Sequence, residues 1–177
     1  MYPVFRMAKE IAVNVRAAPL PLTGIHVSHH VCWPWDLDMW MELNNGRTLT
    51  LLDLGRFSLA MRLGLGRCLR RRRWGMTMAG ISVRYRRRIR VFDRIEVSSR
   101  VVGWDDRFIY IVQDIRRGQV WTTQALYRAA VTRADGIVAP AEVMAGIGAG
   151  EQSPPLPGWV SAWISAEATR PWPPETG

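Results

Sequence analysis

From Arg47 to Leu65 the chain reads as a helix with no polar side. Leu49, Leu51, Leu52, Leu54, Phe57, Leu59, Ala60, Met61 and Leu63 cover most directions around its axis. Such a helix cannot lie on a surface and has to be wrapped by other structure. Asn44 or Asn45 suits the N-cap, and Gly64 with Gly66 ends the run. Asp53 and Arg56 are one turn apart, which predicts a pair that lets two charges sit near a core.

The wrapping has to come from strands. Gly24 to Trp33 is β-branched, aromatic and alternating, and stops at Pro34. Between Thr77 and Val91 the odd positions Ala79, Ile81, Val83, Tyr85, Ile89 and Val91 are mostly apolar. The even positions Arg84, Arg86, Arg88 and Arg90 predict a row of guanidiniums on the opposite face, about 7 Å apart. Three more strands follow at Arg94 to Trp104, Arg107 to Ile115 and Gln119 to Thr132. The turns at Asp105-Asp106 and Arg117-Gly118 are short enough for antiparallel hairpins. One strand, a buried helix and four antiparallel strands give an α+β architecture, the hotdog arrangement, in which a sheet curls round one central helix.

The ends are simpler. Residues 1–20 form an N-terminal helical segment with Phe5, Ala8, Ile11, Ala12 and Val15 on one stripe and Arg6, Lys9 and Arg16 to one side. That stripe is expected to pack on its own domain, because its bulk is small for stable membrane anchoring. Residues 21–135 form the central domain, and 136–177 a tail with short helical turns around Glu142 to Ile147 and at Trp159, Trp163 and Ala166.

Charge narrows the possible partners. Among 177 residues, 24 Lys+Arg against 15 Asp+Glu leave +9. That excess suits a nucleic acid, a membrane surface or a phosphorylated small molecule. Arginines cluster at Arg67, Arg70 to Arg73 and Arg84 to Arg90, but no zinc ligand set, helix-turn-helix spacing or RNA-binding aromatic signature accompanies them, so nucleic acid is not expected. No window approaches the ~20 apolar residues of a transmembrane span. Cys32 and Cys68 cannot build a disulfide framework, and no cleavable secretion signal is evident, so a reducing cytoplasmic setting is expected. His26, His29 and His30 fall on the first strand without cysteines or carboxylates to complete a metal site.

Chemistry is easiest to imagine in Trp35 to Gly46, WDLDMWMELNNG, ahead of the buried helix. A helix N-terminus offers unpaired N–H groups and partial positive charge to a developing oxyanion. Asp38 could attack a carbonyl or activate water while amides near Asn45 and Gly46 polarise the oxygen, with Glu42 a second candidate base. Trp35, Met39, Trp40 and Met41 could line an acyl pocket. The spacing alone equally fits Asp36, Asp38 and Asn44 as turn and cap residues.

The run Asp36-Leu37-Asp38, Glu42-Leu43-Asn44-Asn45-Gly46-Arg47, then Asp53-Leu54-Gly55-Arg56, resembles the D-x-D…H-x-N-N-x-R-Y…[DE]-x-x-R signature of hotdog-fold acyl-CoA thioesterases, relatives of 4-hydroxybenzoyl-CoA thioesterase. Arg84-Tyr85-Arg86-Arg87, Val91-Phe92, Gly103-Trp104-Asp105-Asp106-Arg107 and Pro154-Pro155-Leu156-Pro157 look like the branch of thioesterase superfamily member six and its bacterial homologues. The resemblance implies cleavage of an acyl-coenzyme A to a carboxylic acid and free coenzyme A, with no metal or redox cofactor. It also implies a homodimer or homotetramer whose sheets join edge to edge. It puts the catalytic aspartate on Asp38 and the oxyanion amide near Asn45 and Gly46, and makes Trp35, Met39, Trp40, Asn44, Arg86 and Arg88 candidates for substrate binding. Two positions depart from the signature: Glu42 stands for its histidine and Thr48 for its tyrosine.

Overall fold

A computed structural model describes residues 3–174. The described chain runs α1 (Val4–Asn14), β1 (His26–Val31), a short 3-10 turn (Pro34–Asp36), α2 (Asn45–Arg62), α3 (Leu65–Arg72), β2 (Gly75–Tyr85), β3 (Arg94–Trp104), β4 (Ile109–Arg117), β5 (Val120–Arg133), β6 (Gly136–Val138), α4 (Pro140–Gly146) and α5 (Gly158–Ala168). The strands form one antiparallel sheet in the order β1-β3-β4-β5-β2, with β6 added beside β5. The expected curled sheet round a central helix is what the chain forms.

Helix α2 is the axis of the fold. Asn44 caps it by accepting hydrogen bonds from the Gly46 and Arg47 N–H groups at 2.8 and 3.2 Å. Gly64 follows its end in the left-handed conformation, φ 75°, where a residue without Cβ is least strained. Leu51, Leu52, Leu54 and Leu59 are buried against Ile95, Val97, Ile111 and Ile115 of the sheet. Gly55 brings the helix close to the strands: a Cβ there would meet Ser99 Oγ at 2.8 Å and Val97 Cγ1 at 3.0 Å. Arg56 pairs with Asp53 at 2.8 Å as the spacing predicted, and also donates to the buried Gln113 at 2.8 Å. The other face of the sheet is closed by α5, whose Val160 is buried with Tyr110, Val112 and Leu126.

Three expectations need correction. The strand expected from Thr77 to Val91 stops at Tyr85, because the Arg86 and Arg87 N–H groups both turn onto the Thr122 carbonyl, at 2.8 and 3.2 Å. Of the four arginines expected as one row, only Arg84 is in a strand; Arg86, Arg88 and Arg90 lie on the following loop. A register shift between Met78 and Gly80 also breaks the alternation that the row assumed. Second, β2 is an end strand that reaches the core through Met76 and Val83, while Met78, Ile81 and Tyr85 are 38, 40 and 45% exposed, so its apolar face is only partly core within one chain. Third, α1 packs by its polar side: Glu10 and Asn14 are buried, while Val4, Phe5, Ile11 and Val15 are exposed. Glu10 and Asn14 find buried partners in one another and in Ser58, and those bonds fix the helix rotation.

Candidate active site

The loop entering α2 is a tight hairpin of its own. Leu37 and Leu43 bridge, and the Asp38 N–H donates to the Glu42 carbonyl at 2.8 Å. Asp38 Oδ1 accepts the Trp40 N–H at 2.9 Å and the Glu42 N–H at 3.3 Å, so its carboxylate closes the turn. Both bonds use one carboxylate oxygen and leave Oδ2 outside the turn's hydrogen bonds. Met41 at the tip has φ 58°, an uncommon conformation for a side chain of that size.

Asp36 has the structural role. It is buried and receives Arg6 at 2.5 and 3.2 Å and the Trp33 N–H at 2.9 Å. Its own carbonyl accepts from the Asn44 N–H at 2.9 Å, tying the start of the loop to the cap of α2.

A cleft of about 250 Å³ opens at the head of α2, where Glu42 and Asn45 meet Tyr85, Arg86, Arg87 and Arg88 of the loop after β2. The structure thus brings together two catalytic candidates and two binding candidates from opposite ends of the sequence pattern. Arg88 Nε lies 2.9 Å from Glu42 Oε1. The Gly46 and Arg47 N–H groups are occupied by Asn44, leaving the Asn45 N–H as the first-turn amide without an acceptor among the described residues. Thr48 is buried, and its hydroxyl donates back to the Asn44 carbonyl at 3.2 Å.

Trp35, Met39 and Trp40 are 66, 84 and 74% exposed on the outside of the loop, so within one chain they do not form the apolar wall considered for them. A partly open apolar pocket lies instead between α2, α3 and β2. This cavity of about 320 Å³ is lined by Phe57, Met61, Leu69, Met76 and Met78, with the Asp53 and Arg56 pair also on its wall. The signal for it was the concentration of methionines, side chains whose flexibility suits adaptable apolar cavities. Its distribution across three elements hid it from a linear reading.

His30 is buried and hydrogen-bonds Ser28 Oγ at 3.1 Å, and no group of three or more metal-ligating side chains occurs among the described residues. Both cysteines are buried free thiols, and burial, helped by Asp36 and Asp93, pushes the Cys32 thiol up to about 11. A thiol held so far from its thiolate is a poor nucleophile.

Known proteins resemble this chain in sequence and in shape. The model of the thioesterase-like superfamily matches residues 32–164. Protein THEM6 of Xenopus laevis is 35% identical over 105 residues, 58% of this chain and 51% of that protein. Protein THEM6 of Drosophila melanogaster is 34% identical over 93 residues, 52% of this chain and 48% of its own length. The chain therefore spans about half the length of the curated relatives it matches. In shape it resembles the probable thioesterase YbaW of Escherichia coli with a TM-score of 0.61 at 16% identity, over 72% of this chain and 99% of that one. A probable thioesterase of Bartonella henselae gives 0.59 at 14% identity, over 66% and 98%.

Proposed function

This chain belongs to the thioesterase-like superfamily, and from that premise we propose that it hydrolyses an acyl-coenzyme A thioester to a carboxylic acid and free coenzyme A. The observation that carries the reading is the cleft at the head of α2, where an amide donor, the Glu42 carboxylate and three consecutive arginines converge, with Asp38 on the loop that leads into it. In this reading the Asn45 N–H donates to the developing oxyanion, backed by the positive end of the 18-residue helix α2. Asp38 acts as nucleophile or general base through the oxygen its turn does not use. Arg86 and Arg88 take the phosphates, for which planar guanidiniums are suited as bidentate donors.

The methionine-lined cavity beside α2 is proposed to take the acyl group. The open edge of β2, with its exposed apolar side chains, supports a homodimer or homotetramer joined through that strand. A reducing, cytoplasmic setting accords with the two free thiols.

A second reading rests on Glu42. Its carboxylate occupies Arg88 in place of the histidine of the thioesterase signature, which would suit a protein that binds acyl-coenzyme A without hydrolysing it. Measuring binding and thiol release over short, long and aromatic acyl-coenzyme A thioesters separates the two. Hydrolysis of any member supports the enzyme, whereas binding without released thiol throughout the panel supports the binder.

A further inference from the structure

Helix α1 presents its apolar face outward. Val4, Phe5, Ala8, Ile11, Ala12 and Val15 fall within about 120° of arc at 100° per residue, and Phe5, Val4 and Val15 are 93, 66 and 65% exposed. The opposite side holds the helix in place through polar bonds to three elements. Glu10 Oε2 accepts from Ser58 of α2 at 3.2 Å, Lys9 donates to the His29 carbonyl of β1 at 2.5 Å, and Arg6 bonds Asp36 in the 3-10 turn. Rolling the helix to hide Phe5 would break all three and expose the partners of a buried glutamate.

We propose that this face is a membrane contact, lying in the headgroup and upper acyl region of an anionic bilayer. No helix among the described residues is long and apolar enough to cross a membrane, so the contact is with one surface. The charge selects this occupant. Lys9 and Arg16 flank the apolar face, and Lys9 also lines a cleft of about 620 Å³ with Arg6, His29, Trp33, Arg94 and the single carboxylate Glu96. Lys9, Arg16 and the chain's net charge of +9 attract anionic headgroups. Trp33 stacks on Trp35 at 5.4 Å beside the Arg6 and Asp36 pair, and both rings are partly exposed, as suits residues at a lipid–water boundary.

The test is flotation of the full chain with vesicles of phosphatidylcholine alone and of phosphatidylcholine mixed with phosphatidylglycerol. The chain is expected to float with the mixed vesicles, and less so as salt is raised. The double variant Phe5→Glu/Val15→Glu should partition at least about tenfold more weakly, with its circular dichroism and melting temperature unchanged, since both positions are exposed. Arg16→Gln should weaken binding to the mixed vesicles about fivefold and leave phosphatidylcholine alone unaffected. Failure of the unmodified chain to float, or equal flotation of the double variant, overturns the proposal. So does a double variant whose only change is a lower mass at sedimentation equilibrium, which would assign the face to a second copy.

Discussion

Arg88 Nε sits 2.9 Å from Glu42 Oε1 across the cleft at the head of α2. One of the cations proposed to take a phosphate is thus already shared with a carboxylate of the same chain. The pair is partly open to water, with side chains 71 and 26% exposed, so a phosphate can compete for the arginine.

Replacing Glu42 by Gln should therefore tighten coenzyme A binding, by about 2- to 5-fold at low salt, because Arg88 loses its competitor. Titration calorimetry with coenzyme A checks this. A weaker affinity in Glu42→Gln would instead make Glu42 part of the binding surface.

Asp36→Ala should destabilise the fold by about 3 kcal/mol or more, since it strands the largely buried Arg6 guanidinium and the Trp33 N–H together. Urea unfolding measures the loss. A change below about 1 kcal/mol would show that water replaces the carboxylate.

Gly55→Ala tests how closely α2 approaches the sheet. The added Cβ meets Ser99 Oγ at 2.8 Å and Val97 Cγ1 at 3.0 Å, so α2 has to lift. The expected cost is about 1–3 kcal/mol despite the better helix propensity of alanine. A stabilised variant would mean that the strands give way freely.

His30 links stability to pH. Burial holds its imidazole down at about 4, Glu10 works against that shift, and the charges of Lys9 and Arg6 add to it. The unfolded chain binds this proton near pH 6.5, so the unfolded state is favoured as pH falls from there. The stability associated with neutral His30 is complete above about pH 6.5 and is lost toward pH 4, with a slope of up to about 1.4 kcal/mol per pH unit. Unfolding midpoints across that range should fall less steeply in His30→Gln. Parallel curves for the two proteins would exclude His30 as the source.

The architecture was legible because its strongest signals are local and periodic: an all-apolar helix, two short hairpin turns, and a cap at Asn44. The limits of β2 were not, because alternation continues past Tyr85 in the sequence while the chain leaves the sheet where Arg86 and Arg87 share the Thr122 carbonyl. The orientation of α1 was missed for a related reason. Its periodicity shows which residues share a face, but the choice of buried face depends on Ser58, 48 positions away from Glu10. At the site, the sequence placed Asp38 and Glu42 near the helix start, yet the meeting of Glu42 with Arg88 required the fold.

The central claim is thioester hydrolysis through Asp38, and the most direct measurement is thiol release from the best acyl-coenzyme A of the panel by the unmodified chain and by Asp38→Asn. The substitution can retain the bonds accepted from Trp40 and Glu42, so the loop should persist while the base is removed. The kcat of Asp38→Asn should fall by roughly 10²–10⁴-fold with KM changed little. Near-normal turnover in Asp38→Asn would contradict the central claim.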